Sequence, residues 1–565
     1  MNRQEHLRRL ARQEFDLLVI GGGISGACIA HDAALRGLSV ALIERRDFGG
    51  FTSAASSKLL HGGIRYLPQG QLWKVRESGR EQRIMQRLAP HLVRWLPFLI
   101  PTEKGSFMKG ALPLQAAMRI YGLCHCGFSD SDLPPGAPLG EFLPPGKAVR
   151  VAPQLASIAK LSGAQVLNES HMHSSERMTL AFLKTAASNG AAIANYAEAV
   201  SYLSSQSRVR GVVVRDVLSG KEFSLAARMT VNSSGPAVQA LNRAAPALRL
   251  RLRKEITGFA RGVHLVTRQI HPDYALALTT REKTEGFVTR GGRHFFIIPW
   301  RGRSLIGTTN SPFKGDFDQL RVTAEDVDEF LADINETLPE LGLRREEVYY
   351  AYTGIYPLTV REIDPEKYQA GGDYQLIDHH RSDGVAGLIT ALGAKYTTAR
   401  GLAEKTVDLA VRKLGCPAFP CRTAVSPLLE GCMANLAAFT VRKQEQYSAL
   451  LTKEMAEHLI RYHGTGIDRV METAAGDAEL LKPLSPSVTV CAAEVLHAVR
   501  QEMAVHLDDV VFRRTGMGTI GCPDEAALSR TAELMAAELG WDEQRTAAEK
   551  AAVLARYAFR QGSPA

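Results

Sequence analysis

Three glycines spaced G-x-G-x-x-G, Gly21, Gly23 and Gly26, follow the apolar run Phe15–Ile20 and open a helical stretch that ends near Arg36. The first permits a tight turn, the second lets backbone approach a pyrophosphate, and the third lets the helix pack closely, with the helix N-terminus facing negative charge. Glu44 closes the next strand-like run, Leu38–Glu44, about 20 residues beyond the glycines, where a carboxylate accepts hydrogen bonds from ribose hydroxyls. This is the chemistry of holding an adenine dinucleotide. A later apolar strand ends in small residues at Val231–Gly235, and Gly235 would let a second stretch of backbone reach the same ligand. A long chain that covers its dinucleotide from several segments points to FAD rather than NAD. Ser233 and Ser234 read equally well as turn formers.

The elements that must position these residues begin with a βαβ unit: strand and helix over Asp16–Arg36, then the strand Leu38–Glu44. A mixed α/β body follows, with strands predicted at Arg210–Val217, Phe295–Pro299 and Ser304–Gly307 and a helix at Thr323–Asn335. The Pro- and Gly-rich stretch Leu133–Lys147 predicts an exposed loop. After about Pro420 the pattern turns helical, with helices predicted at Ala434–Lys443, Lys453–His463, Ala492–Leu507 and Asp524–Leu539. At 565 residues and 45% hydrophobic content, the chain is long enough for two or three domains.

A formal charge of +9 favours anionic partners, among them phosphorylated substrates, phosphate-bearing cofactors and anionic lipid. No nucleic acid is expected, because the basic residues are scattered and no RNA-binding motif or zinc-finger spacing is present. The eight cysteines have no disulfide rhythm, and Cys124-His125-Cys126 and the pair Cys416 and Cys421 lack the second ligand pair that would make them a metal site, so no metal is expected. No run approaches the ~20 apolar residues that span a bilayer. The opening helix sets Leu7, Leu10, Ala11 and Phe15 at helical spacing against Arg3, Arg8, Arg9 and Arg12. It suits an interfacial helix on anionic lipid and a helix packed on its own domain equally well.

The string Phe51–Leu67, FTSAASSKLLHGGIRYL, resembles the signature of the FAD-dependent, quinone-reducing glycerol-3-phosphate dehydrogenases. Further similarities follow in order: NYAEAV from Asn195, VNSSGPAV from Val231, RGVHLV from Arg261, FFIIPW from Phe295, LIGTTN from Leu305 and GAKYTTARGLAE from Gly393. The C-terminal EVLHAVRQEMAVHLDDVVFRRT extends the likeness nearly end to end. The resemblance implies an α/β fold: a Rossmann-type FAD-binding domain of the D-amino-acid-oxidase-like class, an interleaved mixed-sheet substrate domain and a C-terminal helical domain. The boundaries expected are 1–14 for the basic N-terminal helix, 15–415 for the catalytic body and 416–565 for the C-terminal domain.

The same resemblance implies noncovalent FAD, oxidation of sn-glycerol 3-phosphate to dihydroxyacetone phosphate, electrons to a membrane quinone, and a cytoplasmic protein held peripherally at the inner face of the cell membrane. It places Ser56, Ser57, Lys58, His61 and Gly62 along the flavin, with Gly393 and Thr397 also at the cofactor. Arg65 and Tyr66 point to substrate. Lys395 stands where flavin meets substrate, and His264 would take the proton of the substrate's C2 hydroxyl as hydride leaves. Arg513 and Arg514 read as contacts to a partner such as a second copy in a homodimer, or as charges paired within the chain.

Two family arginines are absent. A G-V-R-P-L string that holds the substrate phosphate reads Gly354-Ile355-Tyr356-Pro357-Leu358 here, placing Tyr356 at the substrate, and a second arginine aligns with Gly372 ahead of Asp373 and Tyr374. A charge-assisted hydrogen bond contributes roughly 1.5–3 kcal/mol, so losing two leaves room for another 2-hydroxy or amine substrate. Arg361, Arg381, Lys254 and Arg261 are the candidate replacements. A soluble, peroxide-forming oxidase and a flavin-binding protein without turnover are the remaining alternatives.

Overall fold

The computed structural model describes residues 1–565 except 106–109, 126–140, 159, 281–282, 286–287, 291–292, 359–373, 394, 475 and 562–565; for Arg65, 283–285 and 288–290 it describes the backbone alone. The predicted βαβ unit is present as β1 (Phe15–Ile20), α2 (Ile24–Leu35) and β2 (Val40–Ile43), preceded by α1 (Arg3–Arg12). β1 lies between β2 and the strand Glu222–Asn232, parallel to both, with Ile20 opposite Ile43 on one side and Asn232 on the other. All six residues of β1 except Asp16 are buried, as expected of a central parallel strand with both faces covered. The carboxyl ends of three strands therefore meet at Gly21, where α/β sheets of this kind bind ligands.

A second sheet of ten strands carries the rest of the body. Its centre pairs Val93–Glu103 with Leu161–Met172, and Gly258–Thr267 with Val348–Leu358, both antiparallel. The expected strands Phe295–Pro299 and Ser304–Gly307 are His294–Trp300 and Arg303–Gly307, and the expected strand Arg210–Val217 is Arg208–Asp216. The helix expected from Thr323 is Ala324–Thr337, capped by a reciprocal pair of hydrogen bonds between Thr323 and Asp326.

Of the predicted loop Leu133–Lys147, residues 133–140 lie outside the described residues. The remainder forms the strand Phe142–Leu143 and enters the helix Pro145–Val151. Pro144 and Pro145 read as loop punctuation, but proline is favoured in the first turn of a helix, where its missing N–H costs nothing.

In the C-terminal region Lys453–His463 has the predicted limits. The others are Leu436–Gln446, Glu525–Leu539 and Ala492–Glu502, the last ending early at Met503 in a left-handed conformation. Ile467–Thr473 and Glu543–Ala555 are helices that the sequence reading did not find. This region is not independent of the body: Val495, Leu507, Val511, Phe512 and Met535 are buried in the same apolar core as Leu265, Phe295 and Ile306 of the large sheet. The helix Ala399–Leu414 ends at Gly415, a left-handed C-cap, just ahead of it.

The opening helix packs on its own domain. Leu7 and Leu10 are buried with Phe15, Ala192 and Ala194, and Arg3 pairs with Asp216 at 2.6 Å while donating to the Asn195 and Tyr196 carbonyls. Its apolar face is thus occupied by the protein and is not available to lie in a lipid interface. Arg513 and Arg514 are buried too, both bound to Asp47, with separations of 2.6 and 2.8 Å. They are paired within the chain rather than offered to a partner. No described helix is long and apolar enough to cross a membrane.

Candidate active site

A cavity of about 610 Å³ opens where the three strand ends meet. Its wall contains Gly21 and Gly23 of the glycine turn, Glu44, the loop Gly49–Ser53, Gly235 and Gly393. Gly21 has φ +105°, and a Cβ there would lie 2.7 Å from the Ser233 carbonyl oxygen, so only glycine fits the turn. Gly26 lies outside this wall but does the packing the spacing predicts: a Cβ on it would come within 1.9 Å of the Gly21 oxygen. Gly23 caps α2 without a side-chain hydrogen bond of its own, and the Ile24 amide at that helix end donates to the Ser53 hydroxyl at 3.0 Å. Gly393 approaches Ser25 on the same helix turn, where a Cβ would meet its hydroxyl at 2.4 Å.

Glu44 accepts hydrogen bonds from the Gly22 amide at 2.7 Å and the Arg46 amide at 2.9 Å. Burial raises its carboxyl above the usual range, and these amides oppose that. Two of its lone pairs remain for a ribose. Small residues where backbone must come close, a helix N-terminus and an acceptor at the end of β2 are what an FAD pyrophosphate and ribose require, and the cavity fits that group.

Of the residues expected beyond the cradle, Ser56, Tyr356 and Lys395 are in the wall. The Lys395 ammonium sits 4.0 Å over the ring of Tyr66, which is itself buried. Tyr356 donates from its hydroxyl to Asn310 at 2.6 Å. Ser57 stands 2.8 Å from Nε2 of His264, whose ring stacks on Tyr352 at 5.0 Å. His264 is 4% exposed, and burial, with Lys58 adding to it, brings its pKa down to about 3. The ring is held against Gly307, where any Cβ would strike it.

Lys58 does not line the cavity: its backbone takes φ +56°, and its ammonium turns inward to Glu176 at 2.8 Å and Ser175 at 3.2 Å. A buried ammonium needs a carboxylate beside it, and the pair ties the signature loop to the helix Ser175–Ser188. Gly62 and His61 lean on Glu169, the first through its amide at 2.7 Å, the second at 3.7 Å; a Cβ on Gly62 would collide with the Tyr121 hydroxyl. Thr397 is buried ahead of the helix Ala399–Leu414 and outside the cavity wall. Arg65 lies on the short 3-10 helix Ile64–Gln69, and its side chain lies outside the described residues, as do Gly372, Asp373, Arg361 and Cys126.

Among the candidate replacements for the missing arginines, Arg261 is bound to Asp326 and Arg381 is 87% exposed, whereas Lys254 is in the cavity wall. The Cys-His-Cys string forms no cluster of described ligands, since His125 turns to the Tyr121 carbonyl at 2.8 Å and packs into the space over Gly79. His463, His497 and Glu502 do bring ligand atoms within 4.8 Å of one another, but Arg177 and Lys184 already hold Glu502 at 2.6 Å each, so this is a buried ion network.

Fold and cavity together define an FAD-dependent oxidoreductase. The family described as FAD dependent oxidoreductase matches residues 16–409, and the C-terminal domain of alpha-glycerophosphate oxidase matches residues 421–546. The chain is 34% identical over 569 residues to the mitochondrial glycerol-3-phosphate dehydrogenase of Mesocricetus auratus, covering 95% of this chain and 72% of that one. It is 31% identical to the glycerol-3-phosphate dehydrogenase of Synechocystis, covering 94% of each. The solved structure of the glycerol-3-phosphate dehydrogenase from Bacillus halodurans, complexed with FAD, superposes with a TM-score of 0.77 at 26% identity, covering 99% of this chain and 97% of that one. The chain belongs to the FAD-dependent glycerol-3-phosphate dehydrogenase family.

Proposed function

We propose that this protein oxidises sn-glycerol 3-phosphate to dihydroxyacetone phosphate and passes the electrons to a membrane quinone. The observation that carries the reading is that one cavity has both the dinucleotide cradle and Lys395 in its wall. FAD, when bound, supplies the hydride acceptor. The chain supplies charge and a route for the proton: Lys395 and Lys254 offer cations to the substrate and to developing negative charge, and the hydroxyl proton leaves toward Ser57 Oγ, next to Ser56 of the wall. Ser57 passes its own proton to His264 Nε2 behind it at 2.8 Å. His264 is neutral at physiological pH because burial has lowered its pKa. A weak base suffices, since a hydroxyl whose carbon is losing hydride becomes far more acidic than an imidazolium of pKa about 3.

A pH profile tests the proton route. At saturating substrate, kcat is expected to show no acid limb near 6.5, the ordinary histidine range, because His264 does not charge until about pH 3. A limb at pH 6–7 that His264→Asn removes would contradict it.

Tyr356, in place of a family arginine, is the observation favouring a different 2-hydroxy substrate, and a panel of glycerol 3-phosphate, glycerol and hydroxy acids separates the two readings. A peroxide assay distinguishes an oxidase.

For the membrane the support lies on α4 rather than α1, where α3 spans Leu72–Leu88, β4 spans Val93–Glu103 and α4 spans Ala111–His125. Leu112 and Leu123 of α4 are 79% and 69% exposed on one helical face with Ile120, and Leu72 and Trp73 at the start of α3 are exposed as well. Apolar side chains gathered on a helix face suit burial in the headgroup boundary at the inner face of the cell membrane. Leu112→Glu with Leu123→Glu is expected to cut co-sedimentation with anionic vesicles at least tenfold while dye-linked activity stays within twofold; unchanged sedimentation would refute this surface.

A further inference from the structure

A second cavity, of about 450 Å³, lies between the large sheet and the helix Lys453–His463 of the C-terminal region, away from the residues of the first. Three guanidinium groups line it, from parts of the chain far apart in sequence: Arg94 on β4, Arg301 at the hairpin turn between His294–Trp300 and Arg303–Gly307, and Arg461. None of the three forms an ion pair with a described carboxylate. The deeply buried Arg177, Arg400 and Arg514 each hold at least one acid, whereas Arg94 is exposed and Arg301 and Arg461 are half-buried. Three like charges around one open cavity repel one another, and an anion shared between them relieves that repulsion.

The arginines are held in place by neutral groups. Arg301 takes φ +51°, donates to the Gly516 carbonyl at 2.9 Å and the Thr519 hydroxyl at 2.8 Å, and lies between the rings of Trp300 and Tyr462, 5.4 and 5.2 Å from their centres. Arg94 donates to the Pro299 carbonyl at 2.9 Å. Burial lowers its pKa, and the charge of Arg461 lowers it further, so these like charges sense one another. His171 and His173 complete the wall, both kept neutral first by burial and then by the surrounding arginines. Both ring nitrogens of His171, and Nε2 of His173, are buried without a hydrogen-bond partner among the described residues. His458 is paired with Glu494. Among the described residues, the acids in the wall are Glu454 and Glu457, both exposed and neither paired with an arginine.

We propose that this cavity is a second anion site that takes a phosphate group, as inorganic phosphate or as a phosphate monoester. Guanidinium forks match phosphate oxygens bidentately, and the anion supplies the compensation the protein leaves out. Because the walls come from both the catalytic body and the C-terminal helices, the bound anion clamps the two together and stabilises the folded chain by mass action.

The test is equilibrium dialysis of the FAD-loaded enzyme against radiolabelled inorganic phosphate, alongside thermal melts with and without it. The wild type is expected to bind one equivalent per chain more than Arg461→Gln. Phosphate held at the substrate cavity is common to both proteins and cancels. Without phosphate, Arg461→Gln is expected to melt at or above the wild-type temperature, since it removes like-charge repulsion, and to lose the rise in melting temperature that phosphate gives the wild type. Glu457→Gln, which removes a rim carboxylate, is expected to tighten phosphate binding two- to fivefold, and tests the site independently of any folding defect in the arginine variant. Equal stoichiometry and equal phosphate-dependent melting in wild type and Arg461→Gln, or unchanged affinity in Glu457→Gln, would overturn the proposal.

Discussion

Lys395→Met is expected to lower kcat by roughly 10²–10³-fold, the loss typical when one preorganised electrostatic group is removed from a reacting centre, while the purified protein stays yellow. The two halves of that expectation rest on different parts of the cavity. FAD would be held by the glycine turn, the N-terminal end of α2 and Glu44, a set that does not include Lys395. The ammonium instead lies over Tyr66, in a position that the chain fixes by following Gly393 closely against α2. Charge placed there before reaction begins needs no reorganisation as negative charge develops, so its removal falls on the barrier. Stopped-flow reduction by glycerol 3-phosphate checks it; loss of flavin from the variant, or a rate within threefold of wild type, would place Lys395 outside the reacting centre.

Asp47→Asn is expected to remove about 3–5 kcal/mol of stability, the usual cost of leaving buried charge uncompensated, and to weaken retention of FAD. Asp47 is 1% exposed and holds Arg513 at 2.6 Å, Arg514 through two hydrogen bonds at 2.8 Å, and the Asn195 amide at 2.9 Å. It lies three residues after Glu44 and just before the loop Gly49–Ser53 in the cofactor cavity wall, so the same carboxylate anchors the C-terminal region and steadies the cofactor loop. Burial by itself would raise its pKa, but Arg514 and Arg513 outweigh it and bring the value down to about 2 from 3.8. A depressed carboxyl contributes stability that is complete above its unfolded value and is lost as pH falls through the folded one. That contribution should therefore fade between about pH 4 and 2 in the wild type, and Asp47→Asn should show no such component. Denaturant melts across this range, with flavin fluorescence to follow release, provide the measurement.

How much of this could be read from the residues depends on the range over which the deciding interaction acts. The glycine turn is local: Gly21, Gly23 and Gly26 must sit where they do because of neighbours a few residues away, and spacing reports that directly. Tyr356 and Lys395 were placed by matched strings, and both are in the cavity wall. Lys58 stood in the same kind of string, yet the direction of its side chain was not legible there, because it is decided by a left-handed backbone at one residue and by Glu176, 118 positions away. Arg513 and Arg514 carried no sign of burial, since Asp47 lies 466 and 467 residues upstream. The opening helix has an amphipathic pattern that a lipid surface and a protein core satisfy equally, so only the packing of Leu7 and Leu10 decides between them. The second cavity was invisible for the same reason, its three arginines being spread from position 94 to 461.

The most direct test is anaerobic. Purified, flavin-loaded protein is mixed with sn-glycerol 3-phosphate and the visible band of oxidised flavin is followed. Rapid bleaching, with dihydroxyacetone phosphate formed in equal amount to the flavin reduced, is the predicted result, and means that groups such as Lys254 replace the arginines this chain lacks. A band that persists with glycerol 3-phosphate, in protein that a chemical reductant still bleaches, would contradict the substrate while leaving fold and cofactor in place.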